Sequence, residues 1–202
     1  MQLRRQDVLN GAIAILDEYG LGDLTMRRLA SSLGVQPGAL YWHFPHKQAL
    51  LAAITDTMLA GVAAPLPAAE TATGIRWDER LRTLAHRMRD GLLAHRDGAE
   101  VATASYAARL MADEPRTALA EACREAGLPE SAAQMAADTL LYYILGQTMD
   151  EQSRMQMDSY GALDDEASPM FDSHSAGARF DFGLNLFVDG VAARLHADGA
   201  HA

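Results

Sequence analysis

Apolar residues recur along most of the chain with the spacing of an α-helix, and glycine and proline divide them into segments. Val8, Ile13 and Leu16 share one face of the first segment, and Gly20 ends it. No segment alternates apolar and polar residues in the way that is typical of a β-strand. The sequence therefore predicts an all-α fold, with helices over about residues 4–19, 25–32, 37–43, 46–63, 77–96, 99–111, 115–126, 131–154 and 179–197.

Two segments interrupt the helical pattern. Residues 64–74 are small and include prolines, so they predict a linker between a domain over residues 1–63 and a domain over residues 75–202. Residues 155–177 have no helical period and contain glycine, proline and an acidic cluster. We expect a mobile loop there.

The stretch over residues 24–50 has the layout of a helix-turn-helix followed by a further helix. Thr25 is placed to cap the first of these helices, and Gly34 permits the left-handed backbone of a tight turn. Pro37 suits the first position of the second helix, where no backbone N–H is needed. Leu40 is predicted to face the core, which leaves the aromatic end of that helix exposed. The pattern is typical of a DNA-reading head, and also of an ordinary packed pair of helices.

The charge distribution is compatible with DNA binding although the total charge is acidic. The 202 residues carry a net charge of −10, but residues 1–50 carry +1 and the remainder carries −11. Phosphate contacts are local, because salt screens charges beyond roughly 8–10 Å. The single lysine, Lys47, lies in the near-neutral head. A near-neutral head on an acidic body is therefore compatible with DNA binding.

The composition also indicates the cellular compartment and the class of protein. Apolar residues make up 49% of the chain, which is enough to bury a core. Cys123 is the only cysteine, so we expect no intrachain disulfide and a reducing compartment. The N-terminal residues lack the apolar run of a signal peptide, and no stretch reaches the ~20 apolar residues of a membrane span. We expect a soluble, cytoplasmic protein without a membrane partner.

The helix-turn-helix stretch resembles the DNA-binding domain of the tetracycline repressor (TetR) family of transcriptional regulators. The residues that carry this resemblance are Thr25, Arg27, Leu29, Ala30, Leu33, Gly34, Val35, Leu40, Tyr41, Trp42, His43, Lys47, Leu50 and Leu51. Scattered later pieces resemble the tetracycline-repressor subgroup. Residues 92–99 resemble the segment that leads into its drug pocket, and residues 145–152 and 182–190 resemble its two dimer helices. The resemblance implies a homodimeric repressor that binds a pseudo-palindromic DNA duplex and responds to a small-molecule effector.

The resemblance also implies two sets of DNA contacts. The residues that match phosphate-contacting positions are Thr25, Arg27, Tyr41, His43 and Lys47. The residues at base-facing positions are Gln36, Pro37, Gly38, Ala39 and Trp42, with Arg27 and Arg28 as further candidates. Because Gly38 and Ala39 offer no side-chain hydrogen bond, Gln36 is expected to read a base. Pro37 and Ala39 replace polar residues of the subgroup, so we expect a different operator.

The body contains apolar, aromatic and a few polar residues that fit either a plain core or an effector cavity. On inward faces, they would line a mainly apolar pocket between three helical segments. The residues concerned are Trp77, Leu81, Leu84, Met88, Val101, Ser105, Tyr106, Leu110, Met135, Thr139, Tyr142, Tyr143 and Gln147. We expect Tyr142 and Gln147 to be the polar anchors for an apolar or aromatic effector.

The subgroup's drug–magnesium chemistry is not expected in this chain. The positions that match its drug contacts are Ala63, Leu84, Met88, Ala102, Ser105 and Asp150. Ala63 and Ala102 stand where the subgroup has histidines, and alanine cannot ligate a hard cation. Asp150 or Glu151 alone would not restore a metal site. We therefore predict no metal and no cofactor.

The last two long helices predict the dimer contact. Residues 131–154 and 179–197 are apolar on more than one face, so they need a second partner, which an intermolecular four-helix bundle supplies. Gly146, Gly183 and Gly190 either permit close approach of the backbones there or are simply tolerated in helices.

A second class of function rests on three other residues. His86 and Asp90 stand four residues apart on one predicted helix, and Cys123 is a potential nucleophile. They would serve a helical enzyme or a metal-binding protein. This alternative lacks an assembled catalytic or metal-ligand set, so the sequence favours a regulator that is not an enzyme.

Overall fold

The computed structural model describes residues 3–64, 76–159 and 176–199. Over these residues the chain forms helices and no strand, which confirms the all-α prediction. None of the described helices is long and apolar enough to cross a membrane. The helices are α1 (Arg5–Tyr19), α2 (Met26–Ser32), α3 (Pro37–Tyr41), α4 (Lys47–Met58), α5 (Trp77–Leu93), α6 (Gly98–Ala108), α7 (Glu114–Ala126), α8 (Glu130–Ser159) and α9 (Ala176–Gly199).

The chain divides into two compact units. Unit 1 comprises Met1–Ala60 and Asp90–Ala112, and unit 2 comprises Gly61–Arg89 and Asp113–Ala202. One boundary lies inside α5, so this helix contributes residues to both units. Unit 1 therefore adds to the helices of the N-terminal head a segment that the sequence assigned to the C-terminal domain. The predicted linker lies, apart from its first residue, outside the described residues, so the division there stays a prediction.

The core of unit 1 joins side chains from α1 to α4. Val8 and Leu16 of α1 are fully buried as predicted, whereas Ile13 is half-buried and Ile15 is in the core instead. The head's other fully buried large side chains include Leu24, Leu29, Leu40, Phe44, Leu50 and Ile54. Burial of a side chain of this size contributes about 1.5–3 kcal/mol, so these residues supply much of the head's stability.

The most extensive helix contact within unit 1 is that of α4 with α6. At its centre the Thr55 hydroxyl donates a hydrogen bond to the Ser105 hydroxyl at 3.0 Å, and both residues are buried. Near the end of α4, Gly91 lies so close that a Cβ there would stand 2.5 Å from the carbonyl oxygen of Met58. The last helix of the head is thus fixed to the segment over residues 90–112.

Unit 2 is built on α8, which packs against α7 and α9. Its fully buried large side chains include Leu81, Met88, Leu119, Leu140, Ile144 and Phe180. Polar side chains tie α5 to these helices: Arg80 pairs with Glu121 on α7 at 3.3 Å, and Arg82 Nε donates to Asn185 Oδ1 on α9 at 3.2 Å. Within unit 2, α5 is therefore held by the buried side chains Leu81 and Met88, and the polar contacts to α7 and α9 add to this packing.

Several helix ends differ from the prediction, among them those of α4, α6 and α8. α4 ends at Met58 rather than near Ala63, because turns follow and Gly61 adopts the left-handed φ of +78°. α6 ends at Ala108, where Arg109 is left-handed. α8 continues to Ser159 through residues predicted as loop, because methionine and glutamine favour helix without adding an apolar period. The rest of the predicted mobile loop, residues 160–175, lies outside the described residues.

Replacing Gly91 by alanine is expected to lower the free energy of unfolding by about 1–3 kcal/mol, because the new methyl group would overlap the Met58 carbonyl. Gly38→Ala is the matched control, since that helical glycine has nothing within 4 Å of an added Cβ. The control is expected to raise the free energy of unfolding by about 0.5–1 kcal/mol through helix propensity. Urea unfolding measures both changes. A stabilising Gly91→Ala substitution would contradict the close approach of α5 to α4.

Candidate nucleic-acid interface and effector site

The helix-turn-helix is formed by the local devices that the sequence predicts. The Thr25 hydroxyl accepts a hydrogen bond from the Arg28 backbone N–H at 3.1 Å and so caps α2. Gly34 has a φ of +66°, which reverses the chain after α2. Pro37 is the first residue of α3. These predictions are confirmed.

The short helix α3 presents a fully buried residue on one side and an exposed surface on the other. Leu40 has no exposed surface, whereas Gln36, Pro37 and Gly38 are exposed. Just beyond them Tyr41 is 49% exposed and Trp42 is 90% exposed. An indole left in water by its own chain is unusual, because burying a large aromatic ring is favourable. The exposed face of α3 is therefore a surface suited to contact with another molecule.

The cationic residues near α3 differ in their surroundings. Arg27 is exposed on α2. Arg28 instead pairs with Asp23, and its guanidinium lies 3.9 Å from the centre of the Tyr19 ring. Lys47 is half-buried at the first position of α4, behind the His46 side chain that caps this helix. Of the two arginines predicted as base readers, Arg27 is the more accessible.

The residues predicted to line an effector pocket occupy three kinds of position. Leu81, Leu84, Met88, Val101 and Ser105 are buried; Trp77, Tyr106 and Tyr143 are half-buried; Leu110, Met135, Thr139, Tyr142 and Gln147 are exposed. Their helices belong partly to unit 1 and partly to unit 2. Their contact with an effector stays a prediction.

The expectation that all of these residues face inward is wrong for α8. Met135 and Tyr142 are 63% and 66% exposed, and Gln147 is exposed as well. The inner face of α8 is formed instead by Ala133, Ala137, Leu140, Leu141 and Ile144. Because α8 is apolar on several sides, the period alone does not show which apolar stripe faces the protomer's own core.

Two further predicted residues are engaged within their own unit. The Ser105 hydroxyl is hydrogen-bonded to Thr55 and to the Val101 carbonyl oxygen. The Tyr143 hydroxyl donates to the carbonyl oxygen of Phe180 at 2.8 Å, and burial together with the Asp181 carboxylate raises the pKa of this phenol. Gly183 lies against the Tyr143 ring, so its lack of a side chain serves contact of α8 with α9 in one protomer.

The positions that match the subgroup's drug contacts provide no metal-ligand set. Ala102 is fully buried, Ala63 is half-buried, and neither offers a ligand atom. Glu151 accepts two hydrogen bonds from the Arg89 guanidinium, at 3.0 and 2.7 Å, and this pair is largely buried. The carboxylate of Glu151 is thus already neutralised by a bidentate partner.

The residues of the alternative enzyme or metal site are not brought together. His86 Nε2 lies 3.1 Å from Asp181 Oδ1, on a different helix from the predicted partner Asp90. Cys123 is fully buried, and burial raises the pKa of its thiol to about 11. A thiol of this kind is a core residue rather than a nucleophile. Across the described ranges, no group of three or more His, Cys, Asp or Glu side chains is arranged to hold a metal.

Comparison with known proteins agrees with the geometry of the head. The profile of bacterial regulatory proteins of the tetR family matches residues 8–54, and that of the tetracyclin repressor-like C-terminal domain matches residues 67–168. The class A tetracycline repressor from transposon 1721 of Escherichia coli is 34% identical over 204 residues, covering 96% of this chain and 92% of that protein.

Two solved structures are similar over nearly their whole length. The structure of Mycobacterium smegmatis BioQ has a TM-score of 0.83 and 43% identity, with 95% of this chain and 99% of that chain covered. A BioQ structure with its natural double-stranded DNA operator has a TM-score of 0.78 and 42% identity, with the same coverage. The chain belongs to the TetR family and is a DNA-binding transcriptional repressor, not an enzyme.

Proposed function

We propose that this chain represses transcription as a cytoplasmic homodimer that binds a pseudo-palindromic DNA duplex and leaves it when a small organic effector binds. The observation that carries the proposal is the exposed face of α3, with Trp42 90% exposed at its end. The similarity to BioQ, which was solved on its operator DNA, supports entry of the same face into a DNA groove.

Within this proposal, the candidate DNA contacts of the head divide into phosphate and base contacts. Thr25, Arg27, Tyr41, His43 and Lys47 hold the duplex backbone, and Gln36, Pro37, Gly38, Ala39 and Trp42 face the bases. Gln36 is exposed before the first turn of α3 and carries an amide that suits adenine. Arg28 is a weaker candidate, because Asp23 and Tyr19 already hold its guanidinium. Gln36 is therefore the residue to test for base reading.

The proposed dimer uses the exposed apolar stripes of α8 and α9. On α8, Met135, Tyr142 and Met149 recur at intervals of seven residues and are all exposed. On α9, Phe182 and Leu186 are 67% and 59% exposed. A groove between these helices is lined by Leu128, Ala132, Met135, Ala136, Thr139, Leu186, Phe187, Gly190, Val191 and Arg194. Such stripes favour a two-fold contact with a second copy.

The proposed effector is apolar or aromatic and does not require magnesium. Leu84 and Met88, which match drug-contacting positions of the subgroup, are buried, and their side chains offer no oxygen or imidazole ligand. Glu151 is occupied by Arg89, so it is not available to a cation or to its water shell. The effector can weaken DNA binding only by binding more tightly to the conformation that does not bind DNA. Each tenfold loss of DNA affinity requires a preference of about 1.4 kcal/mol for that conformation.

Two substitutions in the head separate base reading from phosphate contact. The probe is the duplex that the wild-type protein selects from a random-sequence library, with an unrelated duplex for comparison. Gln36→Ala is expected to weaken binding to the selected duplex by about 1–3 kcal/mol and to relax preference at one base pair. Lys47→Ala is expected to weaken binding to both duplexes and to reduce the salt dependence by about one charge. Electrophoretic mobility at several salt concentrations measures both effects. An equal loss on both duplexes for Gln36→Ala would remove its base-reading role.

The dimer contact is tested at Gly190, where an added Cβ would meet nothing in the protomer itself. Gly190→Leu is expected to shift the protein toward monomer at low micromolar concentration, because the new side chain would hold the two copies apart. Gly22→Leu is the control, since that glycine is also exposed and open but lies in the head. Sedimentation velocity measures the state of each variant. A Gly190→Leu protein as dimeric as the control would exclude close packing there.

Tetracycline is expected to leave the protein–DNA complex intact, with or without magnesium, because Ala63 and Ala102 supply no ligand to the chelate. The test titrates tetracycline against the selected duplex in complex with the wild-type protein and follows fluorescence anisotropy of the labelled DNA. The class A tetracycline repressor on its own operator is the positive control. Magnesium-dependent release at submicromolar tetracycline would overturn this assignment of the pocket.

A further inference from the structure

Three consecutive residues between α5 and α6 each contact the end of α1. His95, Arg96 and Asp97 form this group, and we name it the clasp. The clasp and residues 17–21 both belong to unit 1. The segment it contacts, residues 17–21, ends α1 and leads through a short turn to the Thr25 cap of α2.

Asp97 makes the most directional of these contacts. One of its carboxylate oxygens, Oδ2, accepts a hydrogen bond from the backbone N–H of Leu21 at 2.7 Å. Asp97 adopts a left-handed backbone with a φ of 54°, which costs energy in any residue with a Cβ. A charge-assisted hydrogen bond to a backbone amide is among the stronger ones in proteins. Asp97 therefore has a costly left-handed backbone and at the same residue a strong hydrogen bond to the turn after α1.

The other two residues of the clasp contact the last turn of α1 itself. His95 Nδ1 lies 3.0 Å from Oδ1 of Asp17. Arg96 Nη1 donates to the carbonyl oxygen of Glu18 at 3.2 Å. The last carbonyl groups of a helix have no partner within it, and a cation is favourable at that end. Arg96 thus satisfies a backbone group that α1 alone leaves open.

Gly20 shows that the turn and the clasp fit closely. Its φ is +88°, and a Cβ at this position would stand 2.8 Å from Oδ2 of Asp97. Any side chain at Gly20 would therefore meet the oxygen that binds Leu21. Gly20 therefore cannot be replaced without strain, because its positive φ disfavours residues with a Cβ and because Asp97 fills the space that a Cβ would need.

We propose that the clasp is a positioning element for DNA binding: through the turn after α1 it sets the orientation of α2 and α3 toward the duplex. Residues 95–97 lie in the short connection from α5 to α6, so a displacement of this connection moves the turn that leads to α2. The proposal rests on the DNA-binding role of the head and adds residues that do not touch DNA. Its consequence is that the end of α5 controls DNA affinity from a distance.

Two substitutions at Asp97 provide the test, because both remove the same charge and both tolerate a left-handed backbone. Asp97→Asn keeps an oxygen that accepts from Leu21, whereas Asp97→Gly removes the acceptor. Binding to the selected duplex is expected to weaken about tenfold for Asp97→Gly and less than about twofold for Asp97→Asn. Amide exchange followed by NMR reports on the clasp without DNA. The Leu21 amide is expected to exchange about tenfold faster in Asp97→Gly, and amides of α8 to keep their rates.

The outcomes separate the clasp from a merely structural contact. Faster exchange at Leu21 with wild-type DNA affinity would make the clasp structural and overturn the positioning role. Unchanged exchange at Leu21 would overturn the contact itself.

A second variant serves if Asp97→Gly does not fold. Asp17→Ala removes the partner of His95 at an exposed position. It is expected to weaken DNA binding about twofold to fivefold, and unchanged binding would contradict the proposal. A wild-type protein that selects no duplex would instead overturn the proposed function, and the positioning role with it.

Discussion

The packing of α4 against α6 is the constraint on which the rest of the structure depends. The Thr55 hydroxyl donates to the Ser105 hydroxyl at 3.0 Å across this contact, and both side chains are buried. The close approach of Gly91 to Met58 adds a contact that no larger residue permits. Separating the helices would break this hydrogen bond, at a cost of about 0.5–1.5 kcal/mol, and would expose the apolar surface packed beside it. The head is therefore one unit with residues 90–112, and a change in that segment reaches the helices of the head through packing.

The parts of the site that could be predicted from the sequence are those determined by local chemistry. Thr25, Gly34 and Pro37 each act within a few residues of their own position, as a cap, a left-handed turn and a helix start. The burial of Leu40 and the exposure of Trp42 follow from the length and period of so short a helix. Turn and cap signals of this kind constrain the backbone directly, so the helix-turn-helix and the all-α class required no tertiary information.

The remainder depends on partners distant in sequence. Thr55 and Ser105 are 50 residues apart, so no local pattern shows that Ser105 is hydrogen-bonded to Thr55 rather than lining a pocket. Arg28 is held by Asp23 and Tyr19, which the period of α2 does not reveal. α8 has apolar residues on several sides, and only one of these sides is buried in the protomer's own core. Tyr142 lies on another side and is exposed, which the sequence period alone does not show. Sequence pattern thus predicted the elements and the exposed end of α3, and misplaced the side chains whose position is decided by tertiary packing.

The most direct test of this account is native-state hydrogen exchange on the wild-type protein and on a Leu29→Ala variant. The substitution leaves a cavity in the core of the head, because Leu29 is fully buried. Loss of a buried leucine is expected to destabilise its unit by about 2–5 kcal/mol. If α4 and α6 belong to one cooperative unit, amides of both helices lose the same opening free energy, although Leu29 lies on α2. Protection of α6 that stays at its wild-type level while α4 loses protection would contradict the account.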